Sequence, residues 1–203
     1  MRSSKLVSYV ASIALAPFFL VGSTYGADGQ ANDSNTRVDI QSMFTPSGWM
    51  GDGEYGRKYI EFFAADKTRP HARSQSIRIS YTFGPKNFGG IYWQNLPDNW
   101  GDKPGSDYST KGLSRVSFWA RGASGDETIE FKAGGIDNPK KKFRDSFEVT
   151  LGRIALTTEW KKYTIELGKA DLRSVIGGFC WVGSGDYNGG KKITFYLEEI
   201  VME

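Results

Sequence analysis

Residues 114–133 read SRVSFWARGASGDETIEFKA. In the first half, Val116, Phe118 and Ala120 alternate with Ser117, Trp119 and Arg121. In the second, Ile129, Phe131 and Ala133 alternate with Thr128, Glu130 and Lys132. A period of two is the signature of a strand with one buried face. The Gly-Ala-Ser-Gly-Asp stretch between them supplies turn residues. The pattern predicts two strands joined by a turn.

The same period recurs on both sides. IRISYTF (77–83) sets Ile77, Ile79, Tyr81 and Phe83 against Arg78, Ser80 and Thr82, and KKYTIEL (161–167) does so with Tyr163, Ile165 and Leu167. KYIEFF, FEVTL, GFCWVG and KITFYLEEIVM are further strand candidates, separated by SGD, GIDNP and GDYNGG. KADLRSVI (169–176) is the one stretch with room for a short turn of helix. Eight or more short strands with Gly-rich turns predict an all-β sandwich or jelly roll. One face of each sheet fills the core, and the other is free to carry function.

The N-terminus stands outside this pattern. Arg2 and Lys5 precede an apolar run from Val7 to Val21, and small residues follow to Gly26. That is a secretory signal peptide, too short and too broken by Ser8, Ser12 and Pro17 to span a membrane. Residues 27–37 (ADGQANDSNTR) are small and polar and read as a flexible lead-in. Residues 38–203 form one sandwich domain. The expected location is the periplasm or the medium. Net charge is +3 over 203 residues. Without Arg2 and Lys5 it falls to about +1, which argues against nucleic acid as a partner. Lys140, Lys141 and Lys142 read as a solvated loop.

Cys180 is the only cysteine, so no internal disulfide forms, and GGFCWVG marks it as a buried, inert thiol. The only histidine, His71, lies in a loop-like stretch, TRPHARS. Ser-His or Cys-His catalysis would have to rest on that single residue.

One segment is chemically unusual: GGIYWQNLPDNW (89–100) mixes two tryptophans and a tyrosine with amides and a carboxylate. Rings cover the apolar face of a pyranose while Asn, Gln, Asp, Glu and Arg meet its hydroxyls. The stretch therefore reads either as a core corner or as a sugar platform. Tyr92 and Trp93 point to opposite sides of a strand, one into the core and one free. Asn99 ends a turn that delivers Trp100. If Ile129 and Phe131 are core, Trp119 and Glu130 face outward together with Arg121 nearby. The candidate ligand-binding residues are Tyr92, Trp93, Asn99, Trp100, Trp119, Arg121 and Glu130.

GWMGDG (48–53), GGIYWQNLPDNWG (89–101), SFWARG (117–122), IEFKAGGI (129–136), TTEWKKYTIEL (157–167), IGGFCWV (176–182) and ITFYLEEI (193–200) occur in this order. Together they resemble a bacterial carbohydrate-binding-module-like domain with the galactose-binding type of β-jelly roll, of the kind found in secreted glycoside hydrolases. The resemblance implies glycan binding on a concave sheet face or on edge loops. It also implies a structural calcium, with Glu198 or Glu199 of the last strand as a ligand, and Asp52 is the candidate second carboxylate. Glutamate stands where the resembling pattern more often has aspartate.

Three functions follow from these residues. The favoured one is a non-catalytic domain that binds a poly- or oligosaccharide. The second is an envelope module that binds a protein partner on the same fold. The third is a glycoside hydrolase or lyase, for which Glu130 and Glu148 are the in-strand acids to test.

Overall fold

The computed structural model describes residues 36–203. The signal-peptide stretch 1–26 and all but the last two residues of the lead-in lie outside the described residues. The strands are β1 (Val38–Asp39), β2 (Thr45–Gly51), β3 (Ile60–Asp66), β4 (Ser76–Tyr81), β5 (Phe88–Gln94), β6 (Arg115–Gly122), β7 (Thr128–Gly134), β8 (Glu148–Ala155), β9 (Lys161–Glu166), β10 (Gly177–Ser184) and β11 (Ile193–Met202). Among the described residues helix is confined to α1 (Ile40–Met43), a kinked 3-10 segment (Asp52–Lys58) and α2 (Gly185–Asn188). Residues 169–176 are turns and a bridge rather than the short helix the sequence allowed. Val175 pairs with Ser106 there, and that pairing replaces helical bonding.

Two antiparallel sheets stack as a β-sandwich jelly roll. The first runs β3-β4-β11-β6-β9, with β1 also paired to β11, and the second runs β2-β5-β10-β7-β8. The inward rows are those that the alternation predicts: Val116, Phe118 and Ala120 on β6, and Ile129, Phe131 and Ala133 on β7, are all fully buried. Their rings meet across the layer, Phe118 to Phe131 at 4.7 Å and Phe118 to Phe179 at 4.9 Å between centroids. The first pair is tilted and the second edge-to-face, and aromatic contacts of this kind add to the area term that drives burial.

β11 interrupts its own alternation. Phe195 and Leu197 face inward, but the next apolar pair is Ile200 and Met202, three residues on. A bulge absorbs the extra residue: pairing to β6 shifts between Glu198 and Val201, and Glu199 takes a φ of 50°. Without it Glu199 would point into the core.

Two sequence expectations change with this topology. Trp93 is 1% exposed and packs on Phe179 at 5.4 Å and Phe62 at 6.0 Å, so it is core and not ligand-facing. Trp119 and Glu130 do not share a face. The turn at 123–127 carries the chain from one sheet to the other, so Trp119 on β6 and Glu130 on β7 face outward on opposite sides of the sandwich. Among the described residues no helix is long and apolar enough to cross a membrane.

Candidate functional site

The outer face of the second sheet is organised in rows set by strand register. Met50 pairs with Gly90, Gly90 with Val182, Val182 with Glu130, and Glu130 with Arg153. The next outward row is Gly48, Tyr92, Cys180, Lys132 and Thr150. Between them the row of Trp49, Ile91, Trp181 and Phe131 faces the core. Five strands about 4.8 Å apart make each outward row about 19 Å long.

Gly90 leaves room on the β5 part of the strip. At Gly90 a side chain would meet the Trp181 carbonyl at 2.4 Å and the Met50 methyl at 2.8 Å, so glycine lets Met50 lie across the sheet. At one end of the strands Trp100 stands edge-on over Tyr92, centroids 6.0 Å apart at 84°, and Ile136 and Phe143 complete a small apolar cluster there. On its other side Trp100 joins Trp49, Met50, Gly51, Glu54 and Phe88 in lining a hollow of about 460 Å³. Phe88 is 43% exposed, and Trp100 and Met50 are half-buried. This is the apolar half of the face.

The β7–β8 half is polar. Lys132 lies 3.4 Å from both Glu130 and Glu148, and Thr150 Oγ1 donates to Glu130 at 3.4 Å. Burial pulls the Lys132 ammonium down, but the two carboxylates outweigh it and hold it above the ordinary lysine value. The Arg153 guanidinium lies 3.5 Å from the Tyr187 ring centroid and donates to its hydroxyl at 2.5 Å. Donors and acceptors alternate along this half, as hydroxyl-rich ligands require.

Several candidate residues support this face rather than line it. Tyr92 points outward but is buried under Trp100, Ile136 and Phe143. Burial also raises its hydroxyl pKa. Asn99 is a loop frame: Oδ1 accepts from the Gly101 and Lys103 amides at 3.2 and 3.1 Å, and Nδ2 donates to the Asn95 and Lys103 carbonyls at 3.2 and 3.1 Å. With its amide fully engaged, it presents Trp100 and does not itself meet a ligand. Cys180 is buried, and loss of solvent pushes its thiol pKa up, in keeping with an inert role.

Asp145 ties the Ile136 loop to the start of β10. Its carboxylate accepts from the amides of Ile136 at 2.8 Å, Ile176 at 2.5 Å and Gly177 at 3.1 Å. Burial nevertheless raises its pKa to about 6. Between about pH 4 and 6 the folded state then holds a proton that the unfolded state has lost, so stability falls as pH rises through that window. Unfolding midpoints measured from pH 4 to 7 are expected to show this slope in the wild type and to lose it in Asp145→Asn. The same slope in both proteins would assign it to another group.

On the opposite outer face, Trp119 lies under the ring of His71, 3.8 Å between centroids. Arg121 is 4% exposed, and its guanidinium lies 3.7 Å from the Tyr196 centroid. Neither reaches the strip that holds Glu130.

The three acids that the resemblance implies for calcium are dispersed in role. Asp52 accepts from the Tyr81 hydroxyl at 2.6 Å and from the amides of Gly84 and Lys86 at 2.7 and 2.9 Å. Glu198 accepts from the amides of His71, Ala72 and Arg73 at 2.6, 3.0 and 3.1 Å. Glu199 borders a hollow of about 110 Å³ beside Trp119, Lys162 and Glu203. At Asp52 and Glu198, N–H and O–H donors take three of the roughly four lone-pair directions of each carboxylate, directions that a cation would need.

Met50, Phe88, Lys132, Thr150, Arg153 and Tyr187 belong to the strip and escaped the sequence reading. Glu130 and Lys132 show in the alternation of β7. Nothing local in the sequence says that Met50 and Arg153 end the same row four strands apart.

No protein-family model matches the chain, and no curated protein matches it in sequence. Solved structures match its fold. A family 30 carbohydrate-binding module aligns at TM-score 0.56 and 15% identity, over 82% of this chain and 98% of that one. The family 11 carbohydrate-binding module from Clostridium thermocellum, in complex with a β-1,3-1,4-mixed-linked tetrasaccharide, aligns at 0.53 and 13%, over 82% and 94%. The family 30 module of a cellulosomal cellulase of Clostridium thermocellum aligns at 0.51 and 14%, over 79% and 92%. The fold is thus that of the carbohydrate-binding-module jelly rolls, as the resemblance implied.

Proposed function

We propose that this chain is an exported, non-catalytic carbohydrate-binding domain that takes a poly- or oligosaccharide across the outer face of its second sheet. One observation carries the reading. A single face sets Trp100, Phe88 and Met50 at one end of a strip about 19 Å long and Glu130, Lys132, Thr150 and Arg153 at the other. The first group suits the C–H faces of sugar rings, and the second suits their hydroxyls. Export rests on the signal-peptide pattern of residues 1–26. The fold likeness supports a glycan ligand, and the tetrasaccharide held by the family 11 module makes mixed-linked β-glucan the first ligand to try.

Affinity electrophoresis through gels containing soluble mixed-linked glucan, mannan or xylan tests the reading. Retardation by one neutral glycan is expected, and Trp100→Ala is expected to weaken it at least tenfold, about 1.4 kcal/mol. The half-buried position of Trp100 makes a small effect on stability the companion expectation. No retardation of the folded wild type, or retardation indifferent to Trp100→Ala, would overturn the assignment. Release of reducing ends that stops in Glu130→Gln would move the chain to the hydrolase reading.

A further inference from the structure

The outer face of the first sheet carries a second constellation that the strip does not use. The His71 ring packs on Trp119 and neighbours Trp160, with centroid separations of 3.8 and 6.1 Å. His71 is exposed, and both tryptophans are partly exposed. The rings are held from below. Glu198, fully buried, fixes the backbone of His71, Ala72 and Arg73 by three hydrogen bonds. Trp160 Nε1 donates to the Arg69 carbonyl at 2.9 Å.

Beneath Trp160 lies Arg121. Its guanidinium is 3.7 Å from the Tyr196 centroid and 5.4 Å from that of Trp160. Nη1 donates to the Gly122 carbonyl at 3.2 Å, while buried Nε has no hydrogen-bond partner. Among the described residues no carboxylate forms an ion pair with it. Its neighbours on this face are differently placed: Arg78 pairs with Asp66 at 3.0 Å, Arg73 with Asp39 at 3.1 Å and Arg69 with Glu159 at 3.0 Å. Lys162, across the β6–β9 pair from Trp119, adds a further cation at the rim and pairs loosely with Glu203 at 3.7 Å.

A buried arginine without an acid is costly, and the cost is relieved when an anion arrives. Rings arranged beside it ask for a ligand with an apolar face. A sugar ring bearing a carboxylate offers both. We propose that Trp119, His71 and Trp160, with Arg121 behind them, form a second glycan site that takes an acidic polysaccharide, a polyuronate, independently of the strip on the other sheet. Trp160 and His71 supply the ring contact, and Arg121 supplies the charge.

Affinity electrophoresis at about 0.15 M salt, where long-range attraction is screened, tests this with polygalacturonate and alginate as probes and polyglutamate as a charge-only control. Retardation by a polyuronate and none by polyglutamate is expected. Trp160→Ala and His71→Ala are each expected to weaken it at least tenfold, whereas Trp100→Ala leaves it unchanged. Arg121→Gln is expected to weaken it too, but the two ring variants decide the matter because Arg121 is buried and its loss can unfold the chain. Failure of every polyuronate to retard the folded wild type overturns the proposal. So does equal retardation by polyglutamate, or indifference to both ring variants. Loss in Trp100→Ala would place the acidic ligand on the other face and overturn it as well.

Discussion

Trp93→Ala is expected to lower the free energy of unfolding by about 3–5 kcal/mol, the range for emptying a large aromatic site in a packed core. It should do so without changing the glycan affinity of the molecules that remain folded. Trp93 is 1% exposed and lies between the rings of Phe179 and Phe62. Nothing of it reaches the outer face. A whole domain of this size is stable by about 5–15 kcal/mol, so the variant will be marginal and is best measured at low temperature by denaturant unfolding. Trp100→Ala is the mirror experiment seven residues away, with small loss of stability and large loss of binding. If Trp93→Ala instead weakened retention while its unfolding curve stayed put, the inward direction of β5 would be wrong and the whole row assignment with it.

Those two tryptophans show where sequence reading works and where it stops. The alternation of 114–133 identified the inward residues of β6 and β7 one by one, because a strand's faces are a local property. The same strand geometry sets Tyr92 and Trp93 on opposite faces. Which of the two is core depends on which sheet β5 joins and on what covers it, and both are long-range facts. The pairing of Trp119 with Glu130 failed for the same reason. Two adjacent strands share an outer face only if they share a sheet, and the turn at 123–127 sends them to different ones. The three-residue step from Leu197 to Ile200, by contrast, was present in the sequence as a broken alternation, and a bulge is its physical consequence. Polar anchors were the least legible class. Asn99 read as a sugar-facing amide because Asn usually stands in water, and Asp52 and Glu198 entered as calcium ligands through the family resemblance. Each is buried and engaged with backbone amides.

Glu198→Gln is expected to cost about 3 kcal/mol or more. A buried carboxylate that accepts three amide hydrogen bonds is worth more than a neutral acceptor, since charge-assisted bonds contribute about 1.5–3 kcal/mol each. Gln keeps one acceptor oxygen and turns an NH₂ toward amides that already donate, so at least one of the His71, Ala72 and Arg73 amides loses its partner. Glu199→Gln, one residue along and only half-buried, should fall within about 0.5 kcal/mol of the wild type. The comparison also decides the role of the acidic pair. If Glu198 is a loop anchor, EDTA and added calcium leave the wild-type unfolding midpoint where it was, and the Glu198→Gln loss is the same in both. If EDTA alone lowers the wild-type midpoint as far as the substitution does, the carboxylate is holding a cation, and the hydrogen bonds to residues 71–73 describe only the metal-free arrangement. Under the anchor reading the consequence reaches the surface. Loosening residues 71–73 frees His71 from Trp119, so polyuronate retention should fall with stability in Glu198→Gln, while retention of the neutral glycan on the opposite sheet should not.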